Sequence, residues 1–203
     1  MSLNSQLTRN RILECAGKEF MEYGFQNANI RRIAESAKVT TGAMYNHFAN
    51  KAVLFDALVK APAEEMLSQF RCLHLKAKDL PDLTSTHMRE TAYAGTDWML
   101  LYIYENIEAF RLIFCRSEGT RWSTYLEELI AIEEQAYRIY CDLLGNQGQR
   151  IEDIFLHINA ASGFQYLVEV VSHDLPYEQA VAVMDSAKRF GMAGWQELLG
   201  LMP

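Results

Sequence analysis

The stretch Asn29-Ile30-Arg31-Arg32-Ile33-Ala34-Glu35-Ser36-Ala37-Lys38-Val39-Thr40-Thr41-Gly42-Ala43-Met44-Tyr45-Asn46-His47-Phe48 decides the fold. Ile30, Ile33, Ala34 and Ala37 lie on one helical face, and Asn29 stands where an N-cap belongs, so a short helix is predicted over 29–37. Lys38-Val39 interrupts the repeat. Thr40 then opens a second helix, its hydroxyl within reach of the Gly42 and Ala43 amides, and that helix runs to about Phe48. Two short helices joined by a turn of about four residues form a helix-turn-helix. The first must pack on the second through small residues, which Ala34 and Ala37 provide. The turn needs an apolar anchor, which is Val39.

A helix-turn-helix that enters duplex DNA turns the leading residues of its second helix outward while the rest is held in the core. Thr40, Thr41, Gly42 and Ala43 are small enough to let this helix sink into a major groove about 12 Å wide. Tyr45, Asn46 and His47 add donors for phosphate or base, and Met44 with Phe48 forms the opposite, core face.

Working outward, the chain of 203 residues reads as helix nearly throughout, with no sustained period-two alternation. Ile12, Ala16, Phe20 and Tyr23 mark a helix over 8–23, which Gly24 ends as a left-handed cap. A longer helix begins at Lys51, and Pro62 within it is expected either to kink it or to start a new one. Lys76 to Ser85 reads as a loop. Further helices fit roughly 85–104, 106–116, 121–144, 150–173 and 177–201, with a turn at Gly145-Asn146-Gln147-Gly148 and Pro176 in the first turn of the last. The expectation is an all-α fold of about nine helices, divided into a head over 1–52, with its helix-turn-helix at 29–48, and a helical body over 53–203.

Charge separates the same two parts. Residues 1–60 hold eight Lys/Arg against five acids, although the whole chain carries a formal charge of -7. A basic head on an acidic body suits a protein whose head alone meets a polyanion. With half the residues hydrophobic, there is enough apolar area to exclude a disordered chain. The longest uninterrupted apolar run, Trp98 to Tyr104, falls short of the roughly 18 residues of a membrane span, so no membrane partner is expected. The first residues show no basic-then-apolar leader, and the expected location is the cytoplasm. Cys15, Cys72, Cys115 and Cys141 are too far apart in sequence for a CxxC site and read as small buried hydrophobes. No HExxH, GxSxG, glycine-rich phosphate loop or Cys/His cluster is present, so neither catalysis nor a metal or other cofactor is expected.

The residues from Ile30 to Leu54, with the helix at 8–23 and Gly24-Phe25 before them, resemble the DNA-binding head of TetR-type transcriptional regulators. The tail from Arg189 to Gly200 resembles the last helix of many such proteins. The resemblance implies a homodimeric repressor that binds a near-palindromic double-stranded DNA operator and is released by a small hydrophobic effector. An activator of the same fold, or a helical adaptor that has lost DNA binding, are the alternatives. Carried over by position, Tyr45, His47 and Lys51 grip phosphates, Thr40, Thr41, Ala43 and Asn46 face bases, and the free amides at Thr40 add the helix dipole. Two positions depart from the family. Lys38 stands where glycine is usual, and a left-handed backbone there costs on the order of 1 kcal/mol, which its ammonium offsets at a phosphate. Ala43 replaces a common hydroxyl residue, removing one hydrogen-bonding reader.

In the body, Trp98, Tyr102, Phe114, Tyr125, Tyr137, Phe155 and His157 are the candidate pocket residues, supported by Met66, Met99, Phe110 and Phe164. Asn159, Glu133 and Arg138 are weaker polar candidates. Small residues interleaved in the last two helices suit a four-helix seam between two copies of the chain, with Ile154, Ile158, Ala187, Gly191, Gly194 and Trp195 at the contact.

Overall fold

The computed structural model describes residues 3–77, 85–143 and 151–200, and within them it is all-α, with no strand. In chain order the helices are α1 (Leu3–Asn27), α2 (Ile30–Ser36), α3 (Thr41–His47), α4 (Lys51–Ala77), α5 (Ser85–Glu105), α6 (Ile107–Arg116), α7 (Tyr125–Leu143), α8 (Asp153–Ser172) and α9 (Tyr177–Leu198), with a single 3-10 turn at Arg121–Thr124 leading into α7. The boundaries expected from periodicity agree with these within a few residues. α1 begins five residues earlier than the apolar repeat indicates. Gly24 ends its regular part with φ 71° and ψ 166°, an extended positive-φ backbone open essentially to glycine and not the left-handed helical cap expected there, before one further turn closes through Ala28 N–H to Gly24 O at 3.0 Å. Pro62 neither ends α4 nor starts another helix. Pro176 caps α9 one residue ahead of its first turn. The turn expected at 145–148 and most of the loop expected at 76–85 lie outside the described residues.

The chain packs as two compact units. The first comprises residues 1–64 with 106–125. Its core is Ile12, Ala16 and Phe20 of α1, Ile33, Ala34 and Ala37 around α2, Met44 and Phe48 around α3, Leu54, Phe55 and Val59 of α4, and Phe110, Leu112 and Ile113 of α6. Phe20 meets Phe55 edge-on at 5.1 Å, and Phe25 closes the trio at 6.0 and 5.5 Å. The segment after α6 is held on α4 by polar bonds. Trp122 Nε1 donates to Asp56 Oδ1 at 2.6 Å, and the buried Tyr125 hydroxyl donates to Ala63 O at 2.9 Å. Arg116 Nε donates to Met21 O at 2.7 Å, tying the end of α6 to α1.

The second unit comprises residues 65–105 with 126–203. α8 contributes Leu156, Ala160, Phe164, Leu167, Val170 and Val171 to its core, against Met66 and Phe70 of α4, Met99, Leu100 and Ile103 of α5, Leu129 and Ala136 of α7, and Ala180 and Met184 of α9. The α8–α9 turn is a Schellman cap: Leu175 N–H reaches Val170 O and Asp174 N–H reaches Val171 O, with Asp174 left-handed at φ 53°. Tyr104 of α5 donates to Leu175 O at 2.7 Å and pins that turn. α8 is apolar enough, by length and composition alone, to cross a membrane, which no unbroken run of apolar residues indicated. Its charged and polar members, Asp153, His157, Asn159, Ser162, Gln165, Glu169 and Ser172, are spread along it among the apolar residues.

An interaction the periodicity did not reveal joins α1 to α2. Glu19 is buried on α1 and accepts from Arg32 Nη2 at 2.6 Å, Arg32 Nε at 2.8 Å and the Asn29 N–H at 2.8 Å. The Arg32 guanidinium also lies 4.1 Å from the Tyr23 ring centre. Burial pushes the Glu19 carboxyl up, but the Arg32 and Asn29 bonds outweigh it and hold the group below the ordinary glutamate range. Its contribution to stability is therefore complete above the unfolded value of about 4.3 and is lost as pH falls through the folded value. Glu19→Ala is expected to cost about 2 kcal/mol at neutral pH, the worth of a charge-assisted bond. The gap from the parent protein should narrow below about pH 4, measured by urea unfolding followed with circular dichroism across pH.

Candidate nucleic-acid interface

The direction of α3 is set by the backbone between α2 and α3. Val39 N–H reaches Ala34 O at 3.0 Å and Lys38 N–H reaches Glu35 O at 3.0 Å, the paired bonds of a Schellman cap, with Lys38 at φ 53°. The left-handed backbone expected at this position is thus present on a non-glycine residue. Asn29 caps α2 by accepting from Arg31 N–H at 2.8 Å. Thr40 caps α3 by accepting from Ala43 N–H at 3.1 Å; of the two amides within reach, this is the one its hydroxyl takes.

Met44 and Phe48 are buried, and Arg9 of α1 covers the Phe48 ring with its guanidinium 4.9 Å from the centre. That fixes the opposite face outward. Thr40, Gly42, Tyr45 and Asn46 are exposed, while Thr41, Ala43 and His47 are half-buried. Tyr45 is 49% exposed, unusual for an aromatic residue on a short helix that otherwise feeds the core. The leading end of α3 therefore presents two threonines, a glycine and an alanine, followed by a phenol and a carboxamide, with Lys38 exposed beside it.

Lys51 is bound within the unit. Its ammonium donates to Gln26 O at 3.0 Å and Ala28 O at 3.2 Å and lies 4.8 Å from the Phe25 ring centre. Partial burial lowers its pKa. An ammonium has three donors, so two caps on the end of α1 leave one N–H for a phosphate. Arg31 and Arg32 are both exposed, and Arg32 is engaged by Glu19.

The candidate body residues separate. A cavity of about 310 Å³ in the second unit is walled by residues including Phe70, His74, Tyr93, Met99, Glu133, Tyr137, Tyr140, Asn159, Phe164, Lys188 and Phe190. Of the seven candidate pocket residues only Tyr137 lines it; the weaker candidates Asn159 and Glu133 do too, as do Met99 and Phe164. Tyr125 is in the core of the first unit, and Phe114, 5.8 Å from Phe110, also belongs to that unit. Trp98 stacks on Tyr102 along α5 at 5.4 Å. Phe155 is exposed, and His157 Nδ1 lies 3.2 Å from Glu134 on the outer side. Helical spacing selects a face of each helix but not the helix it meets, and so it did not find Phe70, His74, Tyr93 or Lys188.

Among the candidate seam residues, Ile154 and Ile158 are 65% and 55% exposed, and a side chain on Gly194 would meet open space. Ala187, Gly191 and Trp195 line the cavity, and Ala187 also borders the shallow groove beside Val183 and Ser186.

Residues 12–58 match the family model of the bacterial regulatory proteins of the tetR family. The HTH-type transcriptional regulator UidR of Escherichia coli (strain K12) is 37% identical over 71 residues, 35% of this chain and 36% of that protein. The HTH-type transcriptional repressor AcnR of Corynebacterium efficiens is 39% identical over 59 residues, 29% of this chain and 31% of that protein. In both cases the matched stretch spans about a third of the relative's length. The solved TetR family transcriptional regulator PfmR from Thermus thermophilus shares the fold, with a TM-score of 0.58 at 18% identity over 91% of this chain and 95% of that one.

Lys38→Val, which puts a β-branched side chain on a left-handed backbone, is expected to destabilise the protein by about 1 kcal/mol or more, whereas Lys38→Asn is close to neutral. Lys51→Met should cost about 1–2 kcal/mol by leaving the Gln26 and Ala28 carbonyls without their donor. Thermal melts compare all three variants with the parent. The paired caps, the outward-facing α3 and the matched residues agree: residues 12–58 of this chain match the helix-turn-helix head of the tetR family, and the all-α fold is the one PfmR has.

Proposed function

We propose that the chain is a DNA-binding transcriptional regulator acting as a repressor. A head over residues 1–52 reads DNA, and a body over 53–203 pairs with a second copy and holds a small effector. The observation that carries the reading is the polar, small-residue leading end of α3, exposed and braced from behind by buried Met44 and Phe48. Thr40, Thr41, Ala43 and Asn46 face bases in the major groove. Tyr45, His47, Lys38 and the third N–H of Lys51 reach phosphates, and the amides behind the Thr40 cap and Gly42 add the positive end of the helix dipole. Because phosphate contacts release counterions, affinity falls steeply with salt and base contacts carry the discrimination.

A single head of this size makes too few contacts for a specific site, which favours a pair. The face of α8 and α9 turned away from the second unit's core supports one. Ile154, Phe155, Ile158, Tyr166, Val183 and Phe190 are all exposed there, and a contiguous apolar patch on a protein surface marks an interaction site. A two-fold pair through this face sets its α3 helices to read half-sites about 34–36 Å apart on a near-palindromic operator. An effector in the body cavity that binds better to the form unable to span those half-sites shifts the population off DNA by that difference in affinity.

Two experiments test the reading. In gel shifts against the DNA upstream of the protein's own gene, Thr41→Arg should abolish the shifted band while leaving the thermal melt unchanged, since Thr41 is only half-buried at the leading end of α3. Normal affinity in that variant would remove α3 from the groove. Ile158→Glu is tolerated by the single chain, where the residue is exposed, and should yield monomers in light scattering and lose operator binding together. A persistent dimer would remove α8 from the seam.

A further inference from the structure

Within the reading of the body cavity as an effector site, we propose that the effector is a hydrophobic monocation whose positive charge sits beside Glu133 among the aromatic walls. The walls are largely apolar and unusually aromatic, with Tyr93, Tyr137, Tyr140 and Trp195 among them, and Trp195 lies 4.7 Å from Tyr137 between ring centres. Ring faces attract cations by their quadrupoles, more strongly when water is excluded.

The charges that face the cavity make the same choice. Among the described lining residues, the fixed charges are Glu133 and Lys188, and His74 is the one imidazole. Lys188 is the obvious hook for an anion, but it is already committed. Its side chain is 8% exposed, and its ammonium bonds to both Asp97 and Asp185 and faces the Tyr93 ring at 5.1 Å. Burial alone would lower its pKa, yet the two carboxylates hold it above the ordinary lysine value, so it stays charged and paired. At the other pole, His74 Nε2 lies 2.9 Å from Glu133 Oε2. Asp97 and Asp185 lie outside the wall, but by pairing with Lys188 they leave the Glu133 carboxylate as the one fixed charge among the described lining residues not matched by a lysine or arginine.

The remaining lining groups add no compensating charge. Burial, with the Glu133 carboxylate alongside, holds the Tyr137 hydroxyl far above its ordinary pKa, and Tyr140 is raised for the same reasons. Burial, with Asp142 nearby, raises the Cys141 thiol. All three stay neutral. An anionic amphiphile entering this space meets the Glu133 carboxylate and, among the described lining residues, no lysine or arginine free of a carboxylate. A cation meets a carboxylate and rings. His74 Nε2 approaches Glu133 without hydrogen-bond geometry, and a carboxylate offers about four lone-pair sites, so with the neighbouring Tyr137 hydroxyl Glu133 keeps acceptor capacity.

The test uses the full chain without DNA, titrated by calorimetry with tetraphenylphosphonium and separately with tetraphenylborate, ions of the same four-phenyl shape and opposite charge. The expected result is phosphonium binding at least about tenfold tighter than borate, the effect of one charge-assisted contact. Glu133→Gln should remove about that factor for phosphonium and leave borate unchanged or improved, while Glu133→Asp keeps most of the affinity. Should Glu133→Gln fail to fold, Trp195→Leu provides the second arm, weakening phosphonium more than borate. Equal or tighter borate binding, phosphonium affinity indifferent to both substitutions, or no binding of either ion would each overturn the inference. Because no DNA enters the titration, its result stands apart from the gel shift: a failed operator shift overturns the regulator reading, and a failed phosphonium titration overturns the ligand class alone.

Discussion

The head depends on one backbone constraint, the left-handed residue at Lys38. With φ at 53°, the chain reverses within a single residue, so the Val39 and Lys38 N–H groups satisfy the Ala34 and Glu35 carbonyls left open at the end of α2. The same reversal delivers Thr40 in the extended conformation that an N-cap requires, and α3 starts at once. Helices of seven residues are far too short to persist alone in water. They stand because each end is satisfied and because one face of each is buried. Glu19 extends this bracing to α1 by accepting from both the Asn29 backbone and Arg32, so the N-cap of α2 is itself held in place. Rigidity at the leading end of α3 follows from these few bonds, and rigidity there is what groove recognition requires, because a loosely held reader spends binding energy on being ordered.

Much of this was legible in the sequence because the signals are local. Asn29, Thr40 and Gly24 each act on amides or dihedrals within a few positions, and the apolar spacing of Ile33, Ala34, Ala37, Met44 and Phe48 is resolved within two helical turns. The Glu19–Arg32 pair spans thirteen positions, and nothing in the spacing separates it from solvated charge. Lys51 shows a different limit. The family pattern marks the position, but the carbonyls of Gln26 and Ala28 that occupy two of its donors come from a segment more than twenty residues away. In the body the limit is more severe. Aromatic residues at helical spacing look alike whether they fill the first unit, as Tyr125 and Phe110 do, stack along their own helix, as Trp98 and Tyr102 do, or wall a cavity, as Tyr137 does. Only the partner helix distinguishes these fates, and that is a long-range fact.

α6 and the segment after it show how the first unit extends beyond its N-terminal residues. Arg116 donates to Met21 at the end of α1, while Asp56 of α4 takes the Trp122 indole and lies 3.3 Å from Arg121. These bonds grip the two helices that flank the helix-turn-helix. Any displacement of α6 therefore acts on α1 through a defined hydrogen bond and on α4 through an indole–carboxylate contact. For a regulator this matters energetically as well as geometrically. A coupling of about 1–3 kcal/mol between effector and DNA is typical and already changes affinity by about 5–150-fold, a scale that two or three such bonds, made in one state and broken in another, are able to supply.

The apolar character of α8 has a consequence for pairing and ligand binding together. A helix of a soluble core needs one apolar face, whereas α8 carries apolar residues on two, and only the face bearing Leu156, Phe164 and Leu167 is covered within the second unit. The other side, with Ile154 and Ile158, and the neighbouring Val183 and Phe190 of α9 are exposed on the single chain. Tyr166, Ala187 and Phe190 line the cavity and also a shallow groove on the outer face beside Val183 and Ser186. Phe190 is 78% exposed and so is free to change rotamer. In the proposed pairing, a second chain seated over that groove would restrict the side chains that a proposed occupant of the cavity must displace. In the proposed dimer, occupancy and pairing would share the same three residues, so that the free energy of one would depend on the other without any element of the core having to move.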